Sequence, residues 1–136
     1  MDKQMGKQTY EMCFVCGKAN PIGLKLDFAV IDNVYTSYFT PDERYQSYDG
    51  ILHGGIISTL LDEITGKYVW VLNDYKPSFT GRLEVRYRRH GLIGKTLRLE
   101  GRVLKQKGKL YEMEGRLLQV EGEILIAECQ AKVMCV

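Results

Sequence analysis

The apolar residues of this chain change their spacing once and then change back. From Gly54 to about Leu72 they fall at Ile57, Leu60, Leu61, Ile64, Tyr68 and Val71, intervals that place them on one face of a helix. Such a helix would be about 28 Å long. Before it, Leu24, Leu26 and Phe28 alternate with Lys25 and Asp27, as in a half-buried strand, and Asn33-Val34-Tyr35-Thr36-Ser37-Tyr38-Phe39 continues as the partner until Thr40-Pro41-Asp42. After Pro77 the period of two returns in four segments: Leu83-Val85-Tyr87, Leu97-Leu99-Gly101-Val103, Tyr111-Met113-Gly115-Leu117, and a run from Ile124 to Val133. Gly91, Gly94, Gly108 and Gly122 supply the turns, with Lys107-Gly108-Lys109 as a tight hairpin. The expected order is β-β-α-β-β-β-β, an α+β chain. A single long helix can bury its apolar face only against the sheet, so the sheet must curve around it.

The 136 residues suit one domain, 1–136, that buries about two-thirds of its unfolded surface and needs neither disulfide nor metal to fold. Nineteen basic and seventeen acidic residues leave a formal charge of +2, which does not mark a nucleic-acid protein. No apolar run approaches the ~20 residues of a membrane span, and Met1-Asp2-Lys3-Gln4-Met5-Gly6-Lys7 lacks a signal-peptide core. A soluble cytoplasmic protein is the expectation.

Residues 1–20 carry Cys13-Phe14-Val15-Cys16-Gly17, a CxxC. With Cys129 and Cys135 the chain has four cysteines, which in this setting read as reduced thiols. A zinc site would want a second closely spaced pair or nearby histidines, and both histidines lie far off in sequence. The following Asn20-Pro21-Ile22-Gly23 is a turn rather than the helix that lowers a redox thiol's pKa. Cys13 and Cys16 therefore read as packing or turn residues, and no metal is expected.

The run Gly50-Ile51-Leu52-His53-Gly54-Gly55-Ile56-Ile57-Ser58-Thr59-Leu60-Leu61-Asp62-Glu63 sets two acids inside an apolar helix. A carboxylate facing a core loses its water unless something pairs with it, so at least one of them should face a cleft while the other reaches solvent. The glycine pair lets another molecule approach a helix start whose first amides lack partners. Glu63 reads as the solvated or salt-bridged neighbour.

These residues, taken in order with Leu83-Glu84-Val85-Arg86-Tyr87-Arg88-Arg89, Gly94-Lys95-Thr96-Leu97 and Ala127-Glu128, resemble a hotdog-fold acyl-CoA thioesterase of the PaaI-like kind. The resemblance spans nearly the whole chain. It implies one long central helix wrapped by a curved six-stranded antiparallel sheet. It also implies hydrolysis of an acyl-CoA thioester to a free acid and coenzyme A, with no cofactor, by a homo-oligomer whose active sites are lined by both subunits.

Carried onto this chain, the catalytic carboxylate falls on Asp62 and the amide that polarises the thioester carbonyl on Gly55. Gln46 is the nearest candidate for the polar amide before the histidine, although Ser47 has the family's spacing. Thr80 corresponds to the hydroxyl residue at the start of the strand after the helix, and His90 stands where the family favours proline. His53 reads as fixing the turn and orienting the carbonyl, not as the base. Gly54, Arg88 and Arg89 are the candidates for binding substrate, the arginines through coenzyme A phosphates. Two other classes share the fold: a non-catalytic acyl-CoA sensor, which would dispense with the base, and a hotdog dehydratase, which would release no thiol.

Overall fold

A computed structural model describes residues 10–136, which form one helix and one sheet. The strands are β1 (Phe28–Ile31), β2 (Val34–Phe39), β3 (Ser78–Tyr87), β4 (Leu97–Lys107), β5 (Leu110–Gln119) and β6 (Ile124–Cys135); α1 is Gly54–Leu72, and a 3-10 turn covers Glu43–Tyr45. All pairings are antiparallel, in the order β1-β2-β4-β5-β6-β3. This is the hotdog architecture. No helix among the described residues is long and apolar enough to cross a membrane.

Side chains define both ends of α1. His53 caps the start, its Nδ1 accepting from Gly55 N–H at 2.8 Å. At the other end Asn73 Nδ2 donates to Val69 O at 2.9 Å, and Asp74 and Tyr75 follow at φ 56° and 63°, where a helix cannot continue. Between the ends Ile57, Leu60, Leu61, Ile64, Tyr68 and Val69 are buried against Leu97, Leu99, Met113, Leu117 and Val133 of the sheet. Val71 packs only at the margin. Leu60, Leu61 and Ile64 are 0% exposed, so each contributes about 1.5–3 kcal/mol of burial.

Two glycines let the helix lie close to the sheet. A Cβ on Gly101 would stand 2.6 Å from Ile64 O, and one on Gly115 would stand 2.8 Å from Cys129 Sγ and 3.1 Å from Thr65. Register shifts at Thr80/Arg82, Val103/Lys105 and Leu117/Leu118 interrupt the long strands. Such bulges bend and twist a strand, which lets the sheet curl around α1.

The strand expected from Leu24 begins only at Phe28. Leu24 and Leu26 are buried, yet their amides donate to Phe14 O and Val15 O, and Lys25 between them sits at φ 57°. Their alternation reflects pairing with the preceding segment. The sheet's edges are unequal: β1 has four residues, whereas β3 has ten and pairs only with β6 among the described residues. A long unpaired edge is a template for another strand.

Candidate functional site

The site is built around α1 in two parts, one at its first turn and one at its middle. Leading into the first turn, Gln46 Oε1 accepts from Gly50 N–H at 3.0 Å, Ser47 N–H donates to Ile51 O, and His53 N–H donates to Tyr45 O. These bonds, with Gly50 at φ 80°, fold residues 46–53 into a compact loop beneath the helix start. Gln46 and Ser47 are thus both bonded within this loop.

His53 and Gly55 are exposed and bonded to each other. Because Nδ1 accepts the Gly55 proton, a neutral His53 ring carries its own proton on Nε2, which becomes a donor. Gly54 N–H has no partner among the described residues, and Tyr87 OH donates to Gly54 O at 3.5 Å while sharing a hydrogen bond with Ser58 Oγ. The far end of β3 is thereby tied to the start of the helix. The first turn therefore offers Gly54 N–H, His53 Nε2–H and, by exchange with the imidazole, Gly55 N–H.

Asp62 lies at mid-helix, and Thr80 Oγ1 at the start of β3 donates to its Oδ1 at 2.7 Å. Gly66, one turn further on, faces the same hydroxyl: a Cβ there would meet Thr80 Oγ1 at 3.4 Å, an ordinary van der Waals contact. Asp62 and Thr80 border an open cavity of about 960 Å³ whose apolar walls include Tyr10, Met12, Trp70 and Phe79. Phe79 is 58% exposed, while Tyr68 stacks at 5.0 Å on Tyr35 in the core.

Gly55 and Asp62 are seven residues apart on one helix, which separates them by about 10 Å along its axis and only about 20° around it. One small reacting group cannot touch both within a single chain.

Glu63 departs from its sequence reading. It is half-buried and borders the same cavity as Asp62, with Cys13 Sγ 3.9 Å from its Oε2. Burial raises its pKa above the usual carboxylate range, against the lowering effects of Cys16, Lys67 and Cys13. Lys67 Nζ lies 3.4 Å from Cys16 Sγ and 4.2 Å from the Trp70 ring centroid. The helical wheel separates Asp62 from Glu63, but nothing in the local sequence shows that a turn some 50 positions earlier packs against Glu63.

The arginines after β3 differ. Arg88 is held by Glu128 through Nε at 2.7 Å and NH2 at 2.6 Å. Arg89 has no side-chain partner among the described residues. Both backbone amides donate to Ile126 O, which ends the ladder and turns the chain.

Residues 49–126 match a family model described as the thioesterase superfamily. No curated protein matches the chain. Among solved structures it is similar to zebrafish thioesterase superfamily member 2, with 20% identity over 89% of this chain and 92% of that one and a TM-score of 0.77. A hypothetical thioesterase of Streptococcus pneumoniae with coenzyme A gives 19%, 82%, 85% and 0.74 in the same order. The E. coli PaaI protein gives 18%, 89%, 83% and 0.73. At these identities the likeness is one of fold.

Proposed function

Because the chain belongs to the thioesterase superfamily, we propose that it hydrolyses an acyl-CoA thioester to a free acid and coenzyme A. The observation that carries this reading is the Asp62 carboxylate, oriented by Thr80 at the border of an apolar cavity large enough for an acyl group. Asp62 either draws the proton from an attacking water or attacks the carbonyl itself. Donors at the helix start, Gly54 and Gly55 N–H with His53 Nε2–H, stabilise the oxyanion that develops. The thiolate of coenzyme A leaves without a second acid. Gln46 keeps the loop beneath these donors in shape.

The axial separation of Gly55 and Asp62 supports a site shared by two copies of the chain, the helix start of one facing the Asp62 of the other. The free edge of β3, which carries Thr80 at one end and Tyr87 at the other, is where the copies pair, as a dimer or a dimer of dimers. Arg89, with Arg88 beside it, binds phosphates of coenzyme A at the strand end. The protein works without a cofactor, on a soluble substrate.

The test is thiol release from a panel of saturated straight-chain and aryl acyl-CoAs, read with a thiol reagent. Release well above the uncatalysed rate is expected for at least one acyl class. A chain that binds the panel without releasing thiol is a sensor, and one that interconverts enoyl and hydroxyacyl thioesters is a dehydratase; either result ends this reading.

A further inference from the structure

We propose that Cys13, Cys16 and Glu63 form a binding site for a thiophilic divalent cation of the zinc class, which fastens the amino-terminal turn to α1 beside the cavity. The two Sγ atoms and a Glu63 carboxylate oxygen all lie within 4.8 Å of one another, and Cys13 Sγ is 3.9 Å from Glu63 Oε2. Around tetrahedral zinc, bonds of about 2.3 Å to sulfur and 2.0–2.2 Å to oxygen set ligand atoms roughly 3.5–3.8 Å apart. The Cys13–Glu63 separation is already within a few tenths of an ångström of that spacing, and closing the other gaps by at most about 1 Å converts the cluster into three corners of a tetrahedron. Water supplies the fourth.

The turn is already shaped for this. Cys16 N–H points at Cys13 Sγ at 3.4 Å, Gly17 N–H donates to Cys13 O at 2.9 Å, and Ala19 N–H donates to Glu11 O at 3.0 Å. Gly17 closes it so tightly that a Cβ would stand 2.3 Å from Glu11 O and 2.5 Å from Cys13 N. An N–H aimed at sulfur favours the thiolate, the form that ligates metal.

Charge gives a second, independent reason. Two thiolates and a carboxylate around a divalent cation leave a net charge of −1, and the Lys67 ammonium stands 3.4 Å from Cys16 Sγ to cancel it. Lys67 is itself held over the rings of Trp70, at 4.2 Å, and Phe28, at 5.5 Å. Without a metal the half-buried Glu63 offsets its lost hydration through the thiols of Cys16 and Cys13, the latter a long contact of 3.9 Å, and the nearby Lys67 charge. Cys129 and Cys135, buried in β6, take no part.

The experiment uses the full chain, reduced with a phosphine, stripped with a chelator and titrated with Co(II) alone. One equivalent should produce the near-ultraviolet thiolate-to-cobalt band and tetrahedral visible bands, and one equivalent of Zn(II) should abolish both. Cys13→Ser and Cys16→Ser should lose the thiolate band. Glu63→Gln and Lys67→Met should keep a weaker one, with affinity reduced roughly 10–100-fold. Elemental analysis of protein purified from zinc-supplemented cells should find close to one zinc per chain. Absence of the band in the parent protein overturns the proposal whatever the variants do, and so does a band that persists in both cysteine variants. The readout is metal, so it stands or falls separately from thioester hydrolysis.

Discussion

Thr80 Oγ1 donates to Asp62 Oδ1 at 2.7 Å, joining the edge strand β3 to the middle of α1. The bond exists because α1 ends cleanly at Asn73 and the chain reverses through Asp74 and Tyr75, which returns β3 along the helix with Thr80 opposite Asp62. A register shift immediately after Thr80 changes the pleat there, so that Thr80 faces the helix and the later strand still presents Leu83 and Val85 to the core. The hydroxyl fixes one carboxylate oxygen, and the proposed mechanism uses the other.

Asp62→Asn should fold normally and lose about 10²–10⁴ in kcat with KM within a few-fold of the parent, because the amide keeps the shape and the Thr80 bond but not the base. Glu63→Gln, measured beside it, should retain most of the turnover. Near-normal kcat in the Asp62 variant, or an equal collapse in the Glu63 variant, would assign the chemistry to the wrong acid.

Thr80 bonds the Asp62 carboxylate, so in the proposed mechanism it positions the base and does not touch the reacting atoms. Thr80→Val should lower kcat roughly 10–100-fold with little change in KM, the cost of a misplaced base, and Thr80→Ser should recover most of it. A purely structural role would instead lower the melting temperature of Thr80→Val and leave kcat alone.

Much of the fold was open to reading because hydrophobic period maps directly onto helix and strand: α1 runs Gly54–Leu72, as its stripe implies, and the four segments after Pro77 are β3 to β6. The stretch Leu24–Phe28 misled because a period of two shows alternating burial and not which backbone supplies the partners; Phe14 and Val15 accept the bonds a sheet neighbour would have taken. The same limit applied at the site. Spacing put Asp62 and Glu63 on different angles of the helix, but what lies across from each is tertiary. Thr80 came in only through family resemblance, while the Cys13-Cys16 turn against Glu63, the Glu128 grip on Arg88 and the His53 ring on Gly55 N–H are contacts that no local pattern encodes.

If each site takes Asp62 from one copy and the helix start from another, two crippled variants should restore each other. Asp62→Asn and His53→Ala, each nearly inactive alone, should recover about a quarter of parental activity when unfolded and refolded together in equal amounts, since half the dimers are mixed and each mixed dimer has one intact site. His53→Ala also removes the helix cap and should cost about 0.5–2 kcal/mol of stability, so both variants are first checked for folding. Activity that is only the sum of the two parts would place the whole site within one chain.

On the outer face of the sheet Glu100 receives Arg98 Nε at 2.9 Å and Arg102 at 3.2 Å, with Arg116 at 3.8 Å, and its side chain is 13% exposed. Burial by itself would raise the Glu100 carboxyl, but the hydrogen bonds from Arg98 and Arg102 outweigh it and hold the pKa below the usual range. The folded chain then binds this proton less readily than the unfolded one. The stabilisation is therefore present above the unfolded glutamate pKa of about 4.3 and is lost as pH falls through the lower folded value. Glu100→Gln should be less stable than the parent by roughly 1–3 kcal/mol at pH 7, with the gap closing below about pH 4. A gap independent of pH, measured by urea unfolding, would show that packing and not charge is responsible.

The arginines at the end of β3 separate by partner. Arg88 is already engaged by Glu128, whereas Arg89 has no side-chain partner among the described residues and emerges where both amides turn onto Ile126 O. Arg89→Ala should raise KM for acyl-CoA roughly fivefold, the worth of one partly exposed ion pair, while kcat holds and KM becomes less dependent on salt. Arg88→Ala should have a smaller effect, because removing it gives up a contact that must first be taken from Glu128. Turnover of a short acyl thioester that lacks the nucleotide should be the same in all three proteins. An unchanged KM in Arg89→Ala, or an equal loss on the short substrate, would move the phosphate contacts elsewhere on the surface.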